Sequence, residues 1–248
     1  MHGRVSLQKL CYRGRWEIEP LKLVAYFWLI STRKRETQDM STFQKSRTGL
    51  AETMHRLYQR GLISGVGGNA SVLISSENNI LITPSGYFKG GIAEGDLVRV
   101  TLDGKVVGPG QPSSELPTHI ECYRLRKEIG AVVHAHPPAA VALASATGTI
   151  PSITPEQTVL VGRVEIVNFS PPGELGAKAV SSSLKRANVV GIRNHGFFAL
   201  GKDLHEAASR LEVLEEAAKI YLAMSQLGKI SSLSEKEVRE IREFYSKE

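Results

Sequence analysis

"AVVHAHPP", residues 131–138, sets two imidazoles, His134 and His136, into a run of small and β-branched residues. Such a run reads as a strand. Residues two apart in a strand project to the same face, about 6–7 Å apart at the backbone, so the two rings stand side by side. Two imidazoles on one face make half of a metal clamp, which needs a third ligand from elsewhere. By itself the pair reads more readily as two structural histidines near a strand end.

Working upstream, Leu50, Met54, Leu57, Tyr58 and Leu62 recur at three and four, which predicts a helix ending near Gly61 and Gly65. The period then changes. "SVLIS" (71–75) and "NILITP" (79–84) read as strands, and "LVRVTLDGKVV" (97–107) as a hairpin turning at Asp103 and Gly104. Pro117 opens a helix that runs to Lys127 and leaves at Gly130. Downstream, a short helix is expected over about 138–146, a strand over "VEIVNF" (164–169), a helix over 173–187 and a strand over "VVGIRNHG" (189–196). A long helix follows from about Asp203 to Leu227, and a last one starts near Ser234. No internal repeat or linker-like block interrupts residues 40–248, which read as one domain with helices packed on a mixed sheet.

Composition narrows the function classes. With 42% apolar and 23% charged residues, the chain is ordinary for a globular protein with a sizeable core. The net charge is +6, but the first 39 residues hold eight basic and four acidic side chains, leaving about +2 for the rest. No Lys/Arg run with interleaved aromatics suggests a nucleic-acid groove. Cys11 and Cys122 are the two cysteines, so no disulfide framework is implied and a reducing, cytoplasmic location is expected. "LKLVAYFWLIS" (21–31) is shorter than the roughly 20 residues a membrane span needs. It is followed by "TRKRET" and by no small-residue cleavage site. Residues 1–39 read as an upstream extension, either accessory or arising from a mis-assigned start.

Other chemistry-bearing stretches fall between these elements. "RNHGF" (193–197) places His195 at the end of an apolar strand, before a glycine that permits a sharp turn. It is the candidate third ligand. His55, His119 and His205 sit in helical patterns and are expected to be partly exposed, with His119 held in reserve because it adjoins "QPSSELPTH" (111–119). In that stretch Glu115 could reach a metal or a substrate proton, while Ser114 or Glu115 could equally cap the helix from Pro117. "GVGGNAS" (65–71) and "TPSG" (83–86) are turns rich in glycine and hydroxyls, which suit a phosphate. Neither matches a Walker loop or a dinucleotide fingerprint.

Taken in order, "GGNAS", "ITPSG", "PSSE", "HAH" and "NHG" resemble the class II aldolase/adducin family, and within it the fuculose-phosphate aldolase-like enzymes, over about residues 45–230. The resemblance implies a three-layer αβα sandwich around a central mixed, largely antiparallel sheet. It implies a divalent metal, zinc first, on His134, His136 and His195, with Glu115 as fourth ligand or general base. It implies a phosphate pocket from Gly68, Asn69, Ser85, Gly86, Ser113 and Ser114. The activity implied is cleavage of a ketose 1-phosphate to dihydroxyacetone phosphate and an aldehyde through an enediolate, a charge that zinc stabilises as a Lewis acid. Ribulose-phosphate 4-epimerase and methylthioribulose-1-phosphate dehydratase are the alternatives within the family. A non-enzymatic adducin-like module would be expected to lose metal ligands that this chain keeps. The second proton donor departs from the pattern: "SITPEQTV" (152–159) offers Glu156 and no tyrosine, and Tyr245 in the last helix is the other candidate. Family members imply a homotetramer with active sites between subunits.

Overall fold

The computed structural model describes residues 43–74 and 78–247, so the expected extension over 1–39, with Cys11 in it, lies outside the described residues. Eight short strands form one sheet in the order β4-β3-β2-β1-β5-β8-β7-β6. They are β1 (Asn69–Ile74), β2 (Asn79–Ile82), β3 (Val98–Thr101), β4 (Val106–Val107), β5 (Ala131–Ala135), β6 (Val164–Val167), β7 (Val189–Ile192) and β8 (Gly196–Gly201). Every neighbouring pair is antiparallel except β6 with β7.

Strand alternation sorts the side chains into two cores, one on each face. Ala70, Val133, Ala135, Phe197 and Ala199 meet α1 (43–59), α3 (Pro138–Thr147) and α5 (Leu204–Gln226). On the other face Val132, Val190, Phe198 and Leu200 meet α2 (Leu116–Leu125) and α4 (Glu174–Leu184). The expected three-layer sandwich with a mixed, largely antiparallel sheet is therefore what the chain forms. Helix α6 (Glu235–Tyr245) follows, opened by a reciprocal capping box between Ser234 and Glu237.

One strand was not legible in the sequence. The expected strand over 189–196 ends at Ile192, turns over residues 193–195 and returns as β8, "GFFALG". All six residues of β8 are buried, so the segment shows no polar alternation to mark it. The strand register then places Asn69 and Phe198 on either side of His134. Directly after the histidines, the backbone N–H groups of Ala139 and Ala140 donate to buried Glu215 at 3.2 and 3.0 Å. A carboxylate at the first turn of α3 complements the helix dipole and fixes where the chain leaves the site.

Candidate metal and phosphate site

His134, the next-to-last residue of β5, is fully buried, its ring stacked on Phe198 at 4.2 Å between centroids. Its Nδ1 lies 3.1 Å from the carbonyl oxygen of Phe197. A carbonyl only accepts, so Nδ1 carries the proton and Nε2 is bare. That bare nitrogen lies 2.9 Å from Nε2 of His136 and 3.0 Å from Oε2 of Glu115. His195 completes the group, its Nε2 3.7 Å from Oε1 of Glu115. Ligand atoms of the three histidines lie within 4.8 Å of one another.

Burial first, then the neighbouring imidazoles, hold His134 well below the ordinary histidine range, and His136 is lowered for the same reasons. The bare Nε2 of His134 and the Oε2 of Glu115 thus face each other at 3.0 Å, with ring nitrogens of His136 and His195 close by. Electron-rich atoms that close repel unless a cation lies among them. Nδ1 of His195 is also buried with no hydrogen-bond partner among the described residues. The donor set, three nitrogens and a carboxylate, is the kind that holds a catalytic divalent cation, zinc above all, although three imidazoles also accept manganese, cobalt or iron.

The turn that delivers His195 is tight. Asn194 adopts φ of +56°, a region asparagine tolerates, and the N–H of His195 donates to the carbonyl of Ile192 at 3.1 Å. His195 therefore sits in the turn between β7 and β8 and not on a strand end, because the chain reverses before reaching it.

Next to the histidines lies a cavity of about 180 Å³. Gly68, Asn69, Ser85, Gly86, Ser113 and Ser114 all line it, together with Glu115, His136 and His195. Cross-links hold its two hydroxyl-bearing turns together: the N–H of Ser85 donates to the carbonyl of Gln111 at 2.9 Å, and that of Ser113 to the carbonyl of Thr83 at 3.1 Å. Gly68 enters with φ of +82°, and a Cβ there would stand 2.3 Å from the side chain of Ile63. Such a cavity is smaller than the ~300–1,000 Å³ of drug-sized sites and suits a small polar molecule.

Glu115 precedes α2 as its N-cap residue but makes no side-chain capping bond. The capping alternative is thereby excluded for this carboxylate, which points instead at the histidines. Glu156 and Tyr245 are exposed and do not line the cavity. His119 was expected to be partly exposed and is in fact fully buried, because its side of α2 is pressed against the sheet.

Lys89 is the residue that pattern reading passed over. It lies three residues past "TPSG", lines the cavity and is 3% exposed. Its ammonium donates to the carbonyl oxygen of Pro84, and no carboxylate pairs with it among the described residues. Burial pushes its pKa down. The available signal was a lone cation in "TPSGYFKGG", following a phosphate-suited turn.

Comparison with known proteins agrees with these motifs. Residues 48–222 match the family described as Class II Aldolase and Adducin N-terminal domain. The chain is 34% identical over 174 residues to an L-fuculose phosphate aldolase of Methanococcus maripaludis, covering 70% of this chain and 94% of that protein. It is 33% identical over 213 residues to a 3-oxo-tetronate 4-phosphate decarboxylase of Escherichia coli, covering 82% of this chain and all of that one. An L-fuculose 1-phosphate aldolase structure superimposes with a TM-score of 0.76 at 29% identity, covering 82% of this chain and 96% of that one. A shared profile over most of the domain, a shared fold and a shared order of motifs give one conclusion: the chain belongs to the class II aldolase/adducin family.

Proposed function

We propose that the protein is a metal-dependent aldolase that cleaves a ketose 1-phosphate, fuculose 1-phosphate or a similar sugar, to dihydroxyacetone phosphate and an aldehyde. The observation that carries this is the meeting of Glu115 with three imidazoles at the mouth of a cavity walled by serines, glycines and Lys89. His134, His136 and His195 would hold the divalent cation, with Glu115 as a fourth ligand that can leave. When bound, such a cation supplies Lewis-acid stabilisation of the enediolate charge. Ser85, Ser113, Ser114, Asn69, Gly68 and Gly86 bind the phosphate in this scheme, and Lys89 gives it a buried counter-charge.

Glu115 then moves the proton on the dihydroxyacetone phosphate carbon, giving it in cleavage and taking it in synthesis. The aldehyde oxygen needs its own proton carrier. Tyr245 and Glu156 are assigned that role from a neighbouring subunit of a homotetramer, since both lie on the surface of their own chain. A cytoplasmic setting fits a substrate of this kind.

A second reading has specific support. The decarboxylase matched along its whole length acts, by its name, on 3-oxo-tetronate 4-phosphate. Loss of carbon dioxide from such a 3-oxo acid gives the same enediolate and, on protonation, the same dihydroxyacetone phosphate. It needs no proton carrier at an aldehyde oxygen, and among the described residues neither Glu156 nor Tyr245 lines the cavity.

Release of dihydroxyacetone phosphate from each substrate, with and without a chelator, tests both readings on wild type and Glu115→Gln. Chelator-sensitive release from fuculose 1-phosphate that falls by about 10²-fold or more in the variant supports the aldolase. Release from the 3-oxo acid alone, with carbon dioxide, favours the decarboxylase. No release from either by metal-loaded protein overturns both.

A further inference from the structure

Five buried polar side chains run in single file from the interior to the carboxylate of Glu115. The hydroxyl of Tyr123 lies 2.8 Å from Oγ of Ser71, which lies 2.7 Å from Nδ1 of His119. Nε2 of His119 is 2.6 Å from Oδ1 of Asn69, whose Nδ2 donates to Oε2 of Glu115 at 2.7 Å. None of the five is more than 5% exposed. The spacing is set by the fold: Asn69 and Ser71 alternate onto one face of β1, and Glu115 at the N-cap of α2 is followed at intervals of four by His119 and Tyr123 within the helix.

Only one polarity satisfies the file. Glu115 as a carboxylate solely accepts, so Asn69 must present its N–H, which leaves its carbonyl oxygen for His119. His119 therefore carries its proton on Nε2. Its Nδ1 is then bare and accepts from Ser71, and Ser71 in turn accepts from Tyr123. Reversed, the file would press the carbonyl oxygen of Asn69 against the carboxylate.

We propose that His119, oriented by Ser71 and Tyr123, is a positioning residue that fixes the amide of Asn69 and through it the aim of Glu115. This rests on the reading of Glu115 as the group that moves the proton. His119, Ser71 and Tyr123 do not line the cavity, so they act through Asn69 and not on substrate. A merely structural layer here could be apolar, as its neighbours Val132, Phe198 and Cys122 are. A file of polar groups that ends on the carboxylate has a use where that carboxylate must hold its direction.

The test uses full-length, metal-loaded protein. Nitrogen-15 NMR of the imidazoles reads the tautomer directly, with Nε2 protonated and Nδ1 bare expected for His119. Finding the proton on Nδ1 overturns the proposal whatever the substrate proves to be. In steady-state kinetics of dihydroxyacetone phosphate release, His119→Leu is expected to lower kcat about tenfold or more with metal content retained. His119→Gln is expected to restore most of it, because its amide offers a donor and an acceptor at a similar separation, and Tyr123→Phe to cost least. Should His119→Gln be no better than His119→Leu, or His119→Leu keep wild-type kcat, the positioning role falls. If His119→Leu does not fold, the His119→Gln and Tyr123→Phe values and the tautomer decide. Wild type that turns over no sugar phosphate, yet shows the expected tautomer, would fail the functional assignment and leave the polarity of the file standing.

Discussion

A Cβ placed on Gly196 would stand 2.5 Å from Cδ2 of His136 and 3.0 Å from Cε1 of His134. The first residue of β8 is thus the wall against which His134, in β5, and His136, just past its end, both rest. It would also meet the carbonyl oxygen of Ala135 at 2.5 Å, so the neighbour cannot simply rotate away. Gly196→Ala is expected to cost about 1–3 kcal/mol of stability by overpacking and to lower metal stoichiometry. Thermal unfolding and metal analysis of the same sample check both. Unchanged metal content with unchanged Tm would show that the rings have room the distances deny.

Removing the cation exposes how much the site contributes to folding. Where the free ion exceeds its Kd a hundredfold, chelation should lower stability by about 3 kcal/mol, reversibly on adding metal back. His134→Ala should unfold at the same temperature with and without chelator. A wild-type Tm indifferent to chelator and to added zinc, manganese and cobalt would remove the metal from the account.

Lys89 should trade stability for affinity. Its ammonium is buried with no carboxylate partner among the described residues, a cost that binding of an anion offsets. Lys89→Met is expected to raise stability by about 1 kcal/mol while raising KM for the sugar phosphate about tenfold, with kcat little changed. Inorganic phosphate should raise the Tm of wild type more than that of the variant. Equal KM values in the two proteins would place the phosphate elsewhere.

Acid should find His119 early. Burial lowers its pKa from 6.5 to about 3, so between those values the unfolded chain binds a proton that the folded chain refuses. The stability this group contributes is complete above about pH 6.5 and declines as pH falls, by about 1.4 kcal/mol per pH unit for one proton. His134 and His136 are lowered too and add slopes of the same sign when no metal is bound. The comparison is therefore between metal-loaded wild type and His119→Gln, which should lack this one slope. Identical denaturation profiles from pH 7 to pH 5 would mean that His119 takes up its proton in the fold as readily as in the unfolded chain.

The sequence by itself determined a good deal. Helical spacing from Leu50 to Leu62 and along 203–227, the turn at Asp103–Gly104 and the apolar strands were legible because each is a local pattern with its own period. The histidines, Glu115 and the glycine–serine turns were legible as motifs in a fixed order. What stayed hidden had no local mark. β8 is buried on both faces, so it blended with the strand before it, and His195 was placed on a strand end when it lies in the turn.

Only the tertiary structure shows that the Glu115 carboxylate makes no capping bond and points at the histidines, since a helix cap and a metal ligand look alike in "PSSELP" and differ only in where the carboxylate points. It likewise shows the burial and partners of His119 and Lys89. Residues 71, 119 and 123 become partners because the sheet brings β1 against α2, and Lys89 becomes a buried cation because its turn folds over the cavity. Burial and pairing across long sequence separations are properties of packing. They fix which polar groups lose water and which partners replace it, and a one-dimensional pattern does not carry that information.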